Sequence, residues 1–115
     1  MSSTTLRELP NPNARHDYIV RLDGSAATGA RLTLHYVPDR SIADAAAFEF
    51  YLGTLGADAP QTLEALAARV LEDINNALVP RYARVMVTGD KHAVLIEDSQ
   101  PGWENDALIS VLAPL

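Results

Sequence analysis

Apolar and polar positions alternate from Tyr18 to Asp23, with Tyr18, Val20 and Leu22 on one side, the period-two signature of a half-buried strand. Arg31 to Val37 alternates again, with Leu32, Leu34 and Tyr36 sharing a face, and Pro38-Asp39 ends the run. The seven residues Gly24 to Ala30 between them are small and glycine-bounded, which predicts a hairpin connection. From about Ala43 to Leu55 the period lengthens. Ala47, Phe48, Tyr51, Leu52 and Leu55 fall on one helical stripe, and Gly56 stands where a C-cap glycine belongs. A second helix is predicted from about Pro60 to Leu78, started by Asp58 with Gln61 three residues on, and buried through Leu63, Leu66, Ala67, Val70, Leu71, Ile74 and Leu78. Two further strands follow, about Ala83 to Thr88 and His92 to Glu97, joined by Gly89-Asp90-Lys91.

The order is ββααββ. It predicts an α+β fold in which two hairpins form an antiparallel sheet and two helices cover one of its faces. Residues 1–14, polar and carrying Pro10 and Pro12, read as an extended arm. Residues 15–98 form the single domain, and 99–115, with Trp103, is a tail that serves as a further edge strand or a docking segment.

Composition narrows the function. Fifteen acidic residues against nine basic ones give a net charge of −6, and the arginines are scattered. Nucleic-acid binders draw most of their affinity from a basic face, so direct nucleic-acid contact is not expected. There are no cysteines, which removes disulfides, thiolate nucleophiles and thiolate metal sites together. No apolar run suits a signal peptide or a membrane span, so a cytoplasmic protein without membrane contact is expected.

Three segments carry a resemblance: Asn11-Pro12-Asn13-Ala14-Arg15-His16-Asp17-Tyr18, then Tyr36-Val37-Pro38-Asp39, then Leu71-Glu72-Asp73-Ile74 followed by Val79-Pro80-Arg81-Tyr82 and Val85. In order and spacing they resemble the Asn-Pro…Asp-Tyr opening, the Tyr-x-Pro turn and the Asp-Pro-Arg-Tyr-x-x-Val piece of the NADPH-dependent 7-cyano-7-deazaguanine reductases. These are the nitrile reductases of queuosine (tRNA modification) biosynthesis. The resemblance runs from about residue 10 to 98. It implies the tunnelling fold, whose sheet edges pair between subunits to close a barrel, and therefore a homo-oligomer.

The departures from that family fall on its chemistry. Those reductases use a cysteine that forms a thioimide with the nitrile and an aspartate a few residues on, carried in a loop between the first two strands. Gly24 to Ala30 is too short for that loop and holds neither residue. No serine has a histidine–aspartate setting to replace the thiolate. The family's NADPH motif falls on Asp44-Ala45-Ala46-Ala47-Phe48-Glu49, where only the first acid, Asp44, survives as a remnant of cofactor binding. Ala46 and Glu49 replace its lysines, so the phosphates lose their counter-charge. The Phe-His-Glu substrate motif falls on Thr62-Leu63-Glu64, of which Glu64 alone matches, and the late Pro-Arg-Gly-Gly piece is missing near Asp90 to Val94.

Glu64 therefore has two readings. It is the carboxylate that anchors the cyclic amidine edge of a purine or pterin, or it is a first-turn glutamate favoured by the helix dipole. His16, His35 and His92 stand on separate elements without metal-ligand spacing, so no metal site is expected. Phe48, Phe50 and Tyr51 read as core and helix packing. The expectation is a protein with no catalytic residue and no cofactor of its own, derived from the reductases and kept as a purine- or pterin-binding or assembly module. Two alternatives stay open: an enzyme of another class acting through Glu64, and a reductase subunit completed by a paralogous, cysteine-bearing partner chain.

Overall fold

The computed structural model describes residues 6–55 and 62–115. Its centre is a four-stranded antiparallel sheet in the order β2-β3-β5-β6, from β2 (Val20–Ser25), β3 (Arg31–Val37), β5 (Tyr82–Thr88) and β6 (Ala93–Ser99). A short pair, β1 (Glu8–Pro10) with β4 (Ser41–Ala43), lies apart from it. Two helices, α1 (Ala45–Thr54) and α2 (Leu63–Leu78), interrupt the strands as the periodicity predicts.

Strand alternation sorts the sheet into two faces. Leu32, Leu34 and Tyr36 of β3 and Ala83, Val85 and Val87 of β5 are buried, and all join one core with Phe48, Tyr51 and Leu52 of α1 and Leu66, Val70, Leu71 and Ile74 of α2. Both helices thus cover one face of an α+β sheet, as the sequence predicts. Phe50 departs from its expected packing role: it is 73% exposed on the outer side of α1.

Gly24 is also different from its expected place. It is a residue of β2, pairs with Leu32, and points into the helix-covered side. A Cβ there would come within 2.5 Å of Leu52 Cδ1, so the glycine lets α1 lie close on β2. The turn itself is residues 26–30, closed by Ala26 N–H to Ala30 O and Gly29 N–H to Ala26 O, both 2.9 Å, with Gly29 at φ 93°.

Helix starts follow side-chain chemistry. Asp44 caps α1, its Oδ1 accepting from the amides of Ala46 (3.0 Å) and Ala47 (3.4 Å). Thr62 caps α2 by accepting from Ala65 N–H at 3.0 Å, and the helix begins at Leu63. The expected start signals Asp58, Pro60 and Gln61, and the cap glycine Gly56, lie outside the described residues.

Within 1–14, residues 8–10 are the strand β1, so that part of the arm is paired against β4. The tail 99–115 folds back rather than adding an edge strand. It carries a one-turn helix, α3 (Asp106–Ile109), and lays Trp103 on Tyr82 with ring centroids 5.9 Å apart. Tyr82 and Val37, both on the face away from the helices, are buried.

Candidate functional site

Residues from each of the three resembling segments come together at one end of the sheet, while Leu71 to Ile74 stay in the middle of α2. Arg81 follows Pro80 at the entrance to β5, and its main-chain N–H donates to Val37 O at 2.8 Å, which fixes where the side chain starts. Its side chain is 19% exposed. It donates to Ala14 O (2.6 Å), His16 O (3.1 Å), Asp17 Oδ1 (3.0 Å) and Asp39 Oδ1 (3.2 Å). Asp39 also accepts from Gln100 Nε2 at 3.0 Å, and its main-chain carbonyl takes Asn11 Nδ2 at 2.7 Å. Tyr18 donates to Asn11 Oδ1 at 2.5 Å, and Asn105 of the tail donates to Asp17 Oδ2 at 3.1 Å. The Gln100 amide, and then the Arg81 guanidinium, hold the Asp39 carboxyl below the usual carboxylate range against a burial that would raise it. Asn11, Asp17, Tyr18, Asp39 and Arg81 of the resembling segments therefore build a clamp with Gln100 and Asn105 of the tail, and both terminal nitrogens of Arg81 are engaged in holding chain segments.

Two clefts open at this same end. The larger, about 510 Å³, lies between Glu8, Asp39, Arg40, Ser41 and the end of α2 at residues 76–79. The smaller, about 110 Å³, lies beyond Val79, between Asn75, Pro80 and β6 residues 98–100.

Glu64 stands at the opposite end of α2, which at 16 residues is about 24 Å long. It lies in the first turn, among amides that have no helical acceptor, and Leu63 beside it packs on Gly89 of the β5–β6 turn. That contact brings His92 close: its Nε2 is 3.1 Å from Glu64 Oε2. The two side chains are 63% and 51% exposed, and Glu64 lines neither cleft. His92 was not paired with Glu64 by any spacing rule, because the contact depends on how the hairpin folds over the helix start.

Asp44, the expected remnant of cofactor binding, spends its carboxylate on the α1 cap. The other positions of that motif offer an alanine at 46 and an exposed carboxylate at Glu49, so no cation of this segment meets a dinucleotide phosphate. The place of the family's cysteine loop is the closed turn 26–30, with Ala26 and Ala30 buried.

The open face of the sheet carries a polar row that the sequence reading did not anticipate: Arg21, His35, Arg84 and Glu97 stand side by side across four strands. His35 does lie opposite Leu34 and Tyr36. Burial, then the Arg84 and Arg21 charges, push its pKa down, and its Nδ1 is buried without a partner among the described residues. Arg84 donates to Tyr82 Oη at 3.0 Å and to Ala113 O of the tail at 2.9 Å, so the tail already occupies it. Among the described residues, no three His, Asp or Glu side chains are grouped to hold a metal ion.

No protein-family model matches the chain. It is 28% identical over 128 residues to an NADPH-dependent 7-cyano-7-deazaguanine reductase of Acidithiobacillus ferrooxidans, across 96% of this chain and 88% of that protein. A reductase of the same name from Nitrosospira multiformis is 26% identical over 113 residues, across 85% of this chain and 81% of that protein. Among solved structures, the apo archaeosine synthase QueF-Like is similar with a TM-score of 0.46 and 18% identity, across 77% of this chain and 95% of that one.

Proposed function

From a chain that is a homologue of the NADPH-dependent 7-cyano-7-deazaguanine reductases, we propose a protein that has given up nitrile reduction and persists as a non-catalytic purine- or pterin-binding or assembly module. The single observation that carries this reading is the β2–β3 connection. Nitrile reduction through a thioimide needs a thiolate, and the chain has no cysteine. The connection at 26–30 is a closed turn with buried alanines at its ends, leaving no room for a nucleophile loop. The resembling segments supply Arg81 and its partners Asp17 and Asp39, which hold chain segments together, while the positions expected to carry the family's chemistry are filled by a cap, alanines and a turn.

In this reading the protein is cytoplasmic, works as a homo-oligomer, and uses no cofactor of its own. Glu64 is the candidate anchor for the amidine edge of a purine or pterin. It lies in the first turn of α2, where the helix dipole favours a negative charge, and its exposure leaves it accessible to a ligand or to a neighbouring copy.

The test is turnover by the purified protein with NADPH and 7-cyano-7-deazaguanine. No nitrile-dependent NADPH oxidation is expected. Steady oxidation that scales with enzyme and survives repurification overturns the reading. Oxidation that arises only on adding a cysteine-bearing paralogue would make the chain a reductase subunit instead.

A further inference from the structure

The larger cleft has a chemistry of its own, and it begins with Pro80. A helix leaves its last carbonyls without partners unless the following residues supply N–H groups. The Val79 N–H is taken by Asn75 O at 3.1 Å. Pro80 has no N–H to offer to Asn76 O, and the Arg81 N–H that would reach Ala77 O goes to Val37 O instead. Among the described residues the carbonyls of Asn76 and Ala77 are therefore left without a donor, and they point along the helix axis toward that end. No basic side chain lies in the last turn of α2 to offset this negative pole.

The facing wall adds acceptors. Glu8 uses Oε1 to accept from Ser41 Oγ at 2.5 Å, and its second oxygen has no partner among the described residues. Asp39 lines the same wall with its carboxylate already held by Arg81 and Gln100, and Arg40 is the cation of the lining, so Glu8 is the free carboxylate there. The apolar part of the lining is Ala77, Leu78 and Val79, of which Leu78 is buried. Val79 sits at φ 46°, a left-handed conformation that a β-branched residue rarely takes, and it leaves its side chain 60% exposed. Gln100 Nε2 donates to its carbonyl at 3.1 Å and helps hold it there.

We propose that this cleft binds a compact ring bearing an amidinium-type group, whose N–H fork meets Glu8 and the free carbonyls ending α2 while the ring lies on Ala77 and Val79. A planar fork of donors matches a carboxylate better than a point charge does. The volume, about 510 Å³, is in the range of small-molecule sites. The proposal goes beyond the reading of Glu64, from which the cleft is separated by the length of α2, and it stands whether or not that residue anchors anything.

Titration of the ¹⁵N-labelled full chain with benzamidine, followed by amide shifts, tests it. Saturable shifts are expected at residues 40–41 and 76–79, and the neutral isostere benzamide should give none. Glu8→Gln should weaken binding about tenfold. Val79→Gly, which suits the left-handed cap and should fold at least as well, should weaken it about threefold through lost apolar contact. Glu64→Gln should leave it within about twofold. Shifts centred on Glu64 and His92, equal binding of benzamide, no saturation, or unchanged affinity in Glu8→Gln would each overturn the proposal. Nitrile turnover tests the previous reading and has no bearing on this one.

Discussion

Arg81 holds Asp17 at 3.0 Å and Asp39 at 3.2 Å, partners that lie 64 and 42 residues away in sequence. One guanidinium thus ties the segment leading into β2, the turn that ends β3 and the entrance to β5, and Gln100 and Asn105 fasten the tail to the same two carboxylates. Removing it would leave two part-buried carboxylates without their cation. Arg81→Ala is therefore expected to destabilise the fold by about 3 kcal/mol in chemical denaturation. Arg81→Lys should recover less than half of that, because an ammonium cannot span four acceptors in a plane. A loss under about 1 kcal/mol for Arg81→Ala would show that the clamp is not a strut.

The clamp also sets a pH dependence. The Asp39 carboxyl is held below its ordinary value by Gln100 and then Arg81. A depressed folded-state pKa means stability that is present above the unfolded pKa and lost as pH falls through the folded one. Denaturation midpoints should therefore fall as the pH is lowered from about 4 toward 2. Asp39→Asn should start less stable and show a shallower acid limb. A parallel acid limb in the variant would remove Asp39 from the account.

Gly24 gives a packing test. The Cβ of an alanine would meet Leu52 Cδ1 at 2.5 Å, and Leu52 is fully buried in the seam between α1 and β2. Gly24→Ala should cost about 1–3 kcal/mol despite alanine's better strand propensity. In combination with Leu52→Ala the two losses should not add, since the second change removes the clash. Additive losses in the double variant would mean that the close approach is relieved elsewhere.

These tests fall where sequence and structure part company. The stripes of α1 and α2 and the alternation of β3 and β5 are legible because burial repeats locally, at 3.6 or 2 residues. Gly24 differs from its expected place for a physical reason: a glycine that permits close approach and one that ends a strand look alike in sequence. The strand keeps Gly24 and Ser25, so the turn is two residues shorter than the glycine-bounded run. Trp103 on Tyr82, His92 beside Glu64 and the Arg81 clamp are contacts between distant segments, and no period reports them. The resembling segments contain Asn11, Asp17, Tyr18, Asp39 and Arg81 of the clamp, as a pattern and not as a contact, and do not contain Gln100 or Asn105 of the tail.

Glu64 and His92 form a pair more than half exposed on both sides, so solvent screens it and little stability rests on it. Glu64→Gln should therefore leave the ligand-free melting temperature within about 2 °C of the parent. If Glu64 anchors a purine or pterin, the same variant should abolish the thermal shift those compounds produce. A shift that persists in Glu64→Gln would move the anchor elsewhere.

Assembly is the last expectation, and the sheet states it. β2 and β6 are the edge strands, each paired on one side only among the described residues. Neither is blunted by a proline, and neither is crossed by a strand of the β1–β4 pair, which lies apart. Edges of six and seven residues expose a row of main-chain donors and acceptors that natural sheets cover or pair. Pairing β2 of one copy with β6 of the next is a heterologous contact, which closes into a ring when the rotation allows. Light scattering at tens of micromolar should then return a multiple of 12.4 kDa. Amide exchange should be slow on the outward N–H groups of both edges, which a lone chain would leave open to water. A 12.4 kDa particle with fast exchange at both edges would reject strand-paired assembly.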